Sequence, residues 1–381
     1  MKKILLCILA FIMLCPLIKA EEIKLAPNAK SVLLMEASTG EIIYGRDIHI
    51  KYAPASMTKM MSMLLYLEAI DRGQMSWDEK IKVSVNASSM GGSQILLETG
   101  EIMSVTDLFK GVAIGSGNDA SVALAERVGG TEAHFVQMMN NRAKELGLKN
   151  SNFKNSHGLD IANHYSTAYD MALIARELVK YDKLLEYTSI YETYLRANTD
   201  RKFWLVNTNK LVRFYQGVDG IKTGYTNEAG HCLTATAQKD GMRLIAVVFG
   251  EPDGTIRNNE VSAMLDYGFN VYGLERVLSN ESNLGTVNVA GGKKRTVTIV
   301  PTEDVNILYQ KSVGKKNITY KVKVDKLSAP IKRGDIVGSI DILDNDKIIR
   351  NINVTVSEDI KKANILELYI RHLGDIIKGL S

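Results

Sequence analysis

A mixed α/β (α+β) fold is predicted, with an antiparallel sheet, a helical cluster, a small all-β domain behind them and an amphipathic helix at the C-terminal end. Three observations predict it. Short apolar strand-like runs open the chain after a leader, helix-periodic segments fill its middle, and strand-like runs return past residue 217. Strands at both ends of a helical region imply one sheet that joins those ends.

Taken in order, Ser31–Met35 and Glu41–Tyr44 are apolar runs joined through Ala37-Ser-Thr-Gly40, a hairpin pattern with Gly40 free to take a left-handed turn. After Pro54 the apolar spacing becomes helical, through Met57, Met60, Met61, Leu64, Leu65 and Ala69. Methionines at such positions read as core packing rather than as metal ligands. Ser104 and Asp107 form a capping pattern ahead of Leu108, Val112 and Ala113. A further helix starts near Asn118 and ends at Gly129-Gly130. Another runs from Thr131 to Gly147 with Phe135, Met138, Met139 and Leu146 on one side. Val218–Tyr225, His231–Ala237 and Arg243–Gly250 are strands, the last two joined by Lys239-Asp240-Gly241, and a helix follows over Asn258–Tyr272.

From about Leu284 the chain becomes a series of short strands: Val287–Val289, Arg295–Val300, Ile318–Val324, Ile336–Ile342 and Ile348–Val356. Pro330 and the Lys332-Arg-Gly-Asp335 turn punctuate them. The expected division is a catalytic domain over 21–275, an all-β domain over 283–356 and a helical segment over 357–381. In that segment Ile365, Leu366, Tyr369, Leu373, Ile376, Ile377 and Leu380 fall on one stripe. Lys361, Lys362, Asp375 and Lys378 lie largely off it, as do Leu368 and Ile370. Such a helix fits a membrane interface, and equally a seat on its own β domain or on a second subunit.

Residues 1–20 read as an export signal: Lys2 and Lys3, an apolar run from Ile4 to Leu14, and Ala20 before a cleavage point. Pro16 and Lys19 interrupt the stretch and argue against a retained anchor. Neither Cys7 nor Cys15 follows a small residue, which argues against a lipoprotein signal. Removal leaves Cys232 as the one cysteine, so no intrachain disulfide forms and stability rests on packing. Loss of Lys2, Lys3 and Lys19 from 47 basic residues nearly balances the 43 acids. That charge gives a nucleic-acid partner no support. The six histidines include no His-x-x-x-His pair, and His157 and His164, with Asp160 between them, read as loop residues. No metal and no cofactor is expected. Cys232, inside an apolar strand, reads as an inert buried thiol.

The chemistry lies in three motifs in fixed order: Ser56-Met-Thr-Lys59, Ser116-Gly-Asn118 and Lys222-Thr-Gly224. Alone, the first two are weak, since Ser-x-x-Lys recurs at Ser151/Lys154 and Ser312/Lys315, and Ser-x-Asn at Ser84/Asn86. Together they describe a serine acyl-transfer enzyme that uses lysine as its base. Ser56 follows Pro54-Ala55 at a helix start, where free N–H groups favour a developing negative charge. Lys59, one turn on, reaches the Ser56 hydroxyl. It acts as a base only when neutral, which needs burial or a neighbouring cation, and Lys222 is the candidate neighbour. Ser116 and Asn118 sit among turn formers, where capping is the plainer use of both. On its strand, Lys222 can hold a carboxylate, Thr223 can hydrogen-bond it, and Gly224 allows close approach of a ligand.

With these residues the chain resembles the low-molecular-mass penicillin-binding proteins, the serine-type D-Ala-D-Ala carboxypeptidases of peptidase family S11. Ala53-Pro-Ala-Ser-Met-Thr-Lys59, Asn155-Ser-His-Gly-Leu159, His164-Tyr-Ser-Thr-Ala168 with Asp170, and Val218-Asp-Gly-Ile-Lys-Thr-Gly-Tyr225 carry the resemblance. So do Gly241-Met-Arg-Leu-Ile245 and Ala329-Pro-Ile-Lys-Arg-Gly-Asp335. It implies a β-lactamase-like catalytic domain that cleaves the terminal D-alanine from peptidoglycan stem peptides through an acyl-enzyme on Ser56, and that β-lactams inhibit. Lys59 would be the base, Ser116 and Asn118 would relay protons and orient the substrate amide, and Lys222 and Thr223 would hold the carboxylate. The backbone N–H groups of Ser56 and Tyr225 would form the oxyanion hole, and Arg257 matches a family arginine near the carboxylate. It also implies an exported enzyme on the outer face of the cytoplasmic membrane. One departure is visible: an arginine some members carry upstream of the Lys-Thr-Gly strand is replaced around Asn207-Thr-Asn209. A β-lactamase-like hydrolase would need a deacylating carboxylate between Ser116 and Lys222, and no Glu-x-x-Leu-Asn segment stands there. A catalytically silent cell-wall binding protein is the third reading.

Overall fold

The computed structural model describes residues 23–377 and 379; the expected export signal over 1–20, with Cys7 and Cys15, lies outside them, as do Lys378 and Leu380. The central sheet is built from β1 (Ser31–Glu36), β2 (Ile42–Arg46), β3 (Val218–Thr226), β4 (Gly230–Lys239) and β5 (Met242–Glu251). Their order is β2-β1-β5-β4-β3, antiparallel throughout, so the sheet does join the two ends of the helical region. Every residue of β1 is buried, because both faces of the sheet are covered. The longer helices are α1 (Lys59–Asp71), α2 (Val105–Ala113), α3 (Asn118–Gly129), α4 (Glu132–Glu145), α5 (Ala168–Leu178), α6 (Gly254–Val271) and α7 (Ile365–Ile377).

One face of the sheet packs on α6 through Leu34, Leu244, Val261, Met264 and Leu265. The other meets a larger core centred on α1, with Leu33, Met60, Leu64, Phe109, Leu124 and Met171. Helix α1 is buried on all sides from Lys59 to Ala69, as a central core helix must be, and its methionines are packing residues. Side-chain caps set the helix starts. Ser104 accepts from the Asp107 N–H, Thr131 from His134, Thr167 from Asp170, and Asp253 from Thr255 and Ile256. The Asp253 cap is why α6 begins at Gly254, a turn earlier than its apolar spacing implies.

Two features near the site have no counterpart in the sequence reading. Helix α5 is one, its inward face partly alanine. The other is an antiparallel ribbon pairing Glu192–Leu195 with Phe203–Val206.

The C-terminal β region holds a six-stranded sheet that includes Thr286–Ala290, Thr296–Pro301, Ile318–Val324, Gly338–Asp344 and Lys347–Val356. Its core gathers Ile299, Ile340, Ile342, Val354 and Val356. Helix α6 runs directly into a strand, Tyr272–Leu278, that pairs with Val305–Gln310.

The C-terminal helix differs from expectation at its start. Residues 358–363 are not helical: bridges tie Ile360 to Ile331 and Lys362 to Gly292, and Ile360 and Ala363 are buried. The helix begins after Asn364, whose Oδ1 accepts from the Glu367 N–H while the Glu367 carboxylate accepts from the Asn364 N–H, at 2.7 and 2.8 Å. Its polar side docks on the β region. Arg371 donates to the carbonyls of Gly292 and Lys293 at 2.9 Å each, and Arg295 pairs with Asp375. Leu368 is half-buried on that side. Ile365, Leu366, Tyr369, Ile370, Leu373 and Ile376 are exposed on the other, so Ile370 belongs with the outward apolar set. Among the described residues no helix is long and apolar enough to cross a membrane.

Candidate active site

Ser56 lies in a single 3-10 turn, Ala55–Thr58, that leads into α1. Lys59 is the first residue of α1 itself, so the pair straddles the junction. The turn is held from two sides. Ala55 takes a left-handed φ of 46°, uncommon for a residue with a side chain. Gly158, at φ +94°, presses on it so closely that a Cβ there would lie 1.8 Å from the Ala55 carbonyl oxygen. A Cβ at Gly224 would lie 2.8 Å from the Pro54 oxygen. The small residue of the Lys-Thr-Gly motif is therefore required by this turn, whereas the sequence reading assigned its space to a ligand.

The Lys59 Nζ is buried and lies 3.0 Å from Ser56 Oγ, 2.6 Å from Asn118 Oδ1 and 2.7 Å from the His157 carbonyl oxygen. Burial, and then the positive charge of Lys222, hold its pKa well below the ordinary lysine value against the opposing pull of Asp119. The two short contacts are to carbonyl oxygens. A neutral Lys59 therefore gives its two N–H bonds to Asn118 and His157 and turns its lone pair to Ser56.

Ser116 is buried, at a left-handed φ of 63°, in the loop before α3. Among the described residues it is not bonded directly to Ser56 or Lys59; its motif partner Asn118 is. The Asn118 amide also donates to the Gly91 carbonyl at 2.7 Å. Asp119, which the sequence reading did not single out, accepts from the N–H groups of Ile95, Leu97 and Ala120. It locks the loop facing Ser116. An acid directly after the Ser116-Gly-Asn118 turn formers was the available sign.

On the opposite wall, Lys222 is buried and its pKa is lowered to about 7, by burial first and then by Arg257. Thr223 Oγ1 donates to Thr208 Oγ1 at 2.8 Å. Arg257 lies in the first turn of α6, donating to Asn258 Oδ1 and, at 3.4 Å, to the Cys232 carbonyl. Among the described residues neither Lys222 nor Arg257 forms an ion pair with a carboxylate, and Arg257 is close enough to lower the Lys222 pKa, a setting for an anion. Tyr225, one residue past the glycine, is exposed and tilts over the His231 ring at a centroid distance of 4.4 Å.

The Asn207–Asn209 segment braces this wall. Buried Asn207 donates to the carbonyls of Thr188 and Ile190, buried Asn209 donates to Gly220, and the Thr208 N–H donates to Ile114. His157 and His164 both accept a backbone N–H at Nδ1, from Leu159 and Lys154, which leaves their protons on Nε2. His164 then donates to Thr58 Oγ1 at 2.8 Å. Burial lowers their pKa values to about 3 and about 4, so both are neutral loop scaffolding at ordinary pH. Cys232 is buried, with its thiol pushed up to about 12. Among the described residues no group of His, Cys, Asp or Glu converges as a metal site.

Residues 19–253 match the family model of the D-alanyl-D-alanine carboxypeptidases, peptidase S11, and residues 272–362 match the C-terminal domain of penicillin-binding protein 5. The chain belongs to the S11 D-alanyl-D-alanine carboxypeptidase family. Members of this family are hydrolases, and this one carries the penicillin-binding fold. It is 47% identical over 356 residues to the D-alanyl-D-alanine carboxypeptidase DacF of Bacillus subtilis, covering 93% of this chain and 92% of that one. With DacC of Escherichia coli the identity is 33%, covering 90% and 88%. Penicillin-binding protein 5 from Haemophilus influenzae superposes with a TM-score of 0.73 at 29% identity, over 90% of this chain and all of that one. Penicillin-binding protein D2 from Listeria monocytogenes, solved with cefotaxime bound, gives 0.59 at 31%, over 65% of this chain and 99% of that one. The first three span both the catalytic fold and the β region.

Proposed function

We propose that this S11 carboxypeptidase removes the terminal D-alanine from peptidoglycan stem peptides, with Ser56 as nucleophile and Lys59 as base. The observation that carries the reading is the buried Lys59 amine, 3.0 Å from Ser56 Oγ, with its other two contacts already taken by carbonyl oxygens. Ser56 Oγ attacks the carbonyl carbon of the penultimate D-alanine as its proton passes to Lys59. The N–H groups of Ser56 and Tyr225 hold the oxyanion. Collapse breaks the peptide bond, and Ser116 passes the proton from Lys59 to the departing D-alanine nitrogen. Water then attacks the ester carbonyl carbon, its proton passing to Lys59; the acyl C–Oγ bond breaks, Lys59 returns the proton to Ser56 Oγ, and the shortened peptide leaves as a carboxylic acid.

Lys222, Thr223 and Arg257 bind the terminal carboxylate, and Asn118 orients the scissile amide. This division uses the paired cations Lys222 and Arg257 for a substrate that ends in a charge. A β-lactam, which mimics that end, acylates the same serine. Among the described residues no carboxylate is bonded to Ser56 or Lys59, and Asp119 is occupied by three backbone N–H groups, so hydrolysis of the drug ester is slow.

The remaining assignments follow the same reading: an export signal over 1–20, a catalytic domain over 21–275, a β domain over 283–356, and an extracytoplasmic enzyme seated on the membrane surface by its C-terminal helix. The deciding experiment is intact-mass analysis after exposure to penicillin, followed by peptide mapping. A long-lived adduct on the peptide containing Ser56 is expected. An adduct elsewhere, or rapid drug turnover, would refute the assignment.

A further inference from the structure

The ribbon of Glu192–Leu195 and Phe203–Val206 is two-faced. Leu195 and Leu205 are buried, while Tyr194 and Trp204 stand directly opposite each other in register on the outer face, 48% and 56% exposed. Beside them Tyr191 meets the edge of Phe214, which is 70% exposed, at 6.2 Å. Cations lie over these rings. Lys202 is 3.9 Å from the Tyr194 centroid, and Arg213 and Lys210 are 4.8 and 5.3 Å from that of Tyr191. None of the three pairs with a carboxylate among the described residues. Cation–ring pairs occur roughly once per 70–80 residues, so three such cations between residues 191 and 214 are a concentration. Single exposed aromatics are ordinary surface, but a register-matched pair with more rings and unneutralised cations alongside is not.

The ribbon adjoins the proposed groove through its buried side and through its chain. On the buried side, Leu205 packs against Gly115, the neighbour of Ser116, where a Cβ would lie 2.6 Å from the leucine Cδ2. The chain then runs from the ribbon through Thr208 to the bond with Thr223. A polymer whose peptide end lies in the groove therefore has this ribbon as a neighbouring element.

We propose that the outer face of the ribbon binds the glycan strand of the cell-wall polymer, an inference that rests on the substrate class given above. Pyranose rings present flat C–H faces that stack on Tyr194 and Trp204. The carboxylates of neighbouring stem peptides complement Lys202, Lys210 and Arg213. A short soluble peptide has no glycan and gains nothing from the ribbon.

The test uses the full-length mature protein with three probes: insoluble peptidoglycan sacculi, glycan strands enzymatically freed of their stems, and a soluble D-Ala-D-Ala peptide. Trp204→Ala and Tyr194→Ser should each weaken binding to sacculi about tenfold, as losing a stacked ring does, while kcat/KM on the soluble peptide stays within about twofold of wild type. Wild type should also bind the stem-free strands. Unchanged sacculus binding in both variants, or no binding of stem-free strands by wild type, overturns the proposal. So does an equal loss on the soluble peptide. Failure of wild type to hydrolyse the soluble peptide counts instead against the proposed function, because glycan binding is read separately.

Discussion

At the scale of single residues, two buried lysines impose opposite demands on pH. In the proposed mechanism Lys59 must be neutral to accept a proton, whereas Lys222 must be charged to hold a carboxylate. Each cation lowers the pKa of the next, Lys222 acting on Lys59 and Arg257 on Lys222. Replacing Lys222 by glutamine removes one cause of the Lys59 shift, so the Lys59 pKa rises. The acidic limb of acylation against pH should then move to higher pH, beyond the loss in substrate affinity. An unmoved limb would mean that Lys222 does not tune the base.

Lys222 also bears on stability. Its folded pKa of about 7 lies below the value it has when unfolded, so between those values the unfolded chain binds more protons. The contribution of this residue to stability should therefore rise with pH from about 7 upward, and Lys222→Met should flatten that part of a pH-dependent melting profile. Thr208 gives a third prediction at this scale. Thr208→Val removes the partner of the Thr223 hydroxyl and should raise KM several-fold for carboxylate-ended substrates, with kcat and melting temperature little changed. Thr208→Ser should restore it.

Ser56, Lys59, Asn118 and Lys222 were legible in the sequence because local motifs carry them. Thr208 and the His157 carbonyl were not, since they reach the site only through tertiary packing and a backbone oxygen has no sequence signature; Asp119 follows the second motif directly, but its part in holding the loop of Ile95 and Leu97 shows only in the fold.

At the scale of elements, the turn that carries Ser56, the proposed nucleophile, depends on two glycines from distant segments. Gly158→Ala meets both a left-handed φ and a carbonyl oxygen at 1.8 Å from its new Cβ, and nothing there can yield without moving Ala55. A loss of more than about 2 kcal/mol in unfolding free energy is expected, with acylation impaired in whatever folds. Gly224→Ala approaches Pro54 at 2.8 Å and should cost less stability but still slow acylation by displacing Ser56. If Gly224→Ala acylates normally, the turn is more pliable than its packing implies.

The sheet strands and α1 were legible from apolar spacing alone, α2 and α4 also from the capping residues Ser104 and Thr131, and α3 from the turn formers before it and Gly129-Gly130 at its end. Helix α5 was missed because alanines at 172 and 175 dilute its apolar face. The true start of α7 was missed because strand-like bridging of 358–363 to the β region is a tertiary choice that overrides an amphipathic pattern, and the Asn364–Glu367 cap then sets the first turn.

For the whole molecule, the proposed seat on a membrane surface turns on which face helix α7 leaves open. Helix α7 settles against the β region by its polar side, through Arg371 and Asp375, and turns Ile365, Leu366, Tyr369, Ile370, Leu373 and Ile376 outward. That orientation is the reverse of a helix seated on its own domain by an apolar face. Each such side chain, once buried in an acyl boundary, contributes about 1.5–3 kcal/mol before ordering costs, which is enough for an interfacial helix to bind without spanning. The mature full-length protein should therefore sediment with anionic vesicles, with the β region as a spacer between bilayer and groove. Because Ile360 and Ala363 are buried in the β region, a truncation that tests this must follow Ala363; one at Val356 would strip packed residues as well. Removal of everything after Ala363 should abolish vesicle binding while melting temperature and hydrolysis of a soluble D-Ala-D-Ala peptide are unchanged. If the truncated protein still binds vesicles, or if the full-length protein dimerises through α7 and ignores lipid, the apolar face has a different occupant.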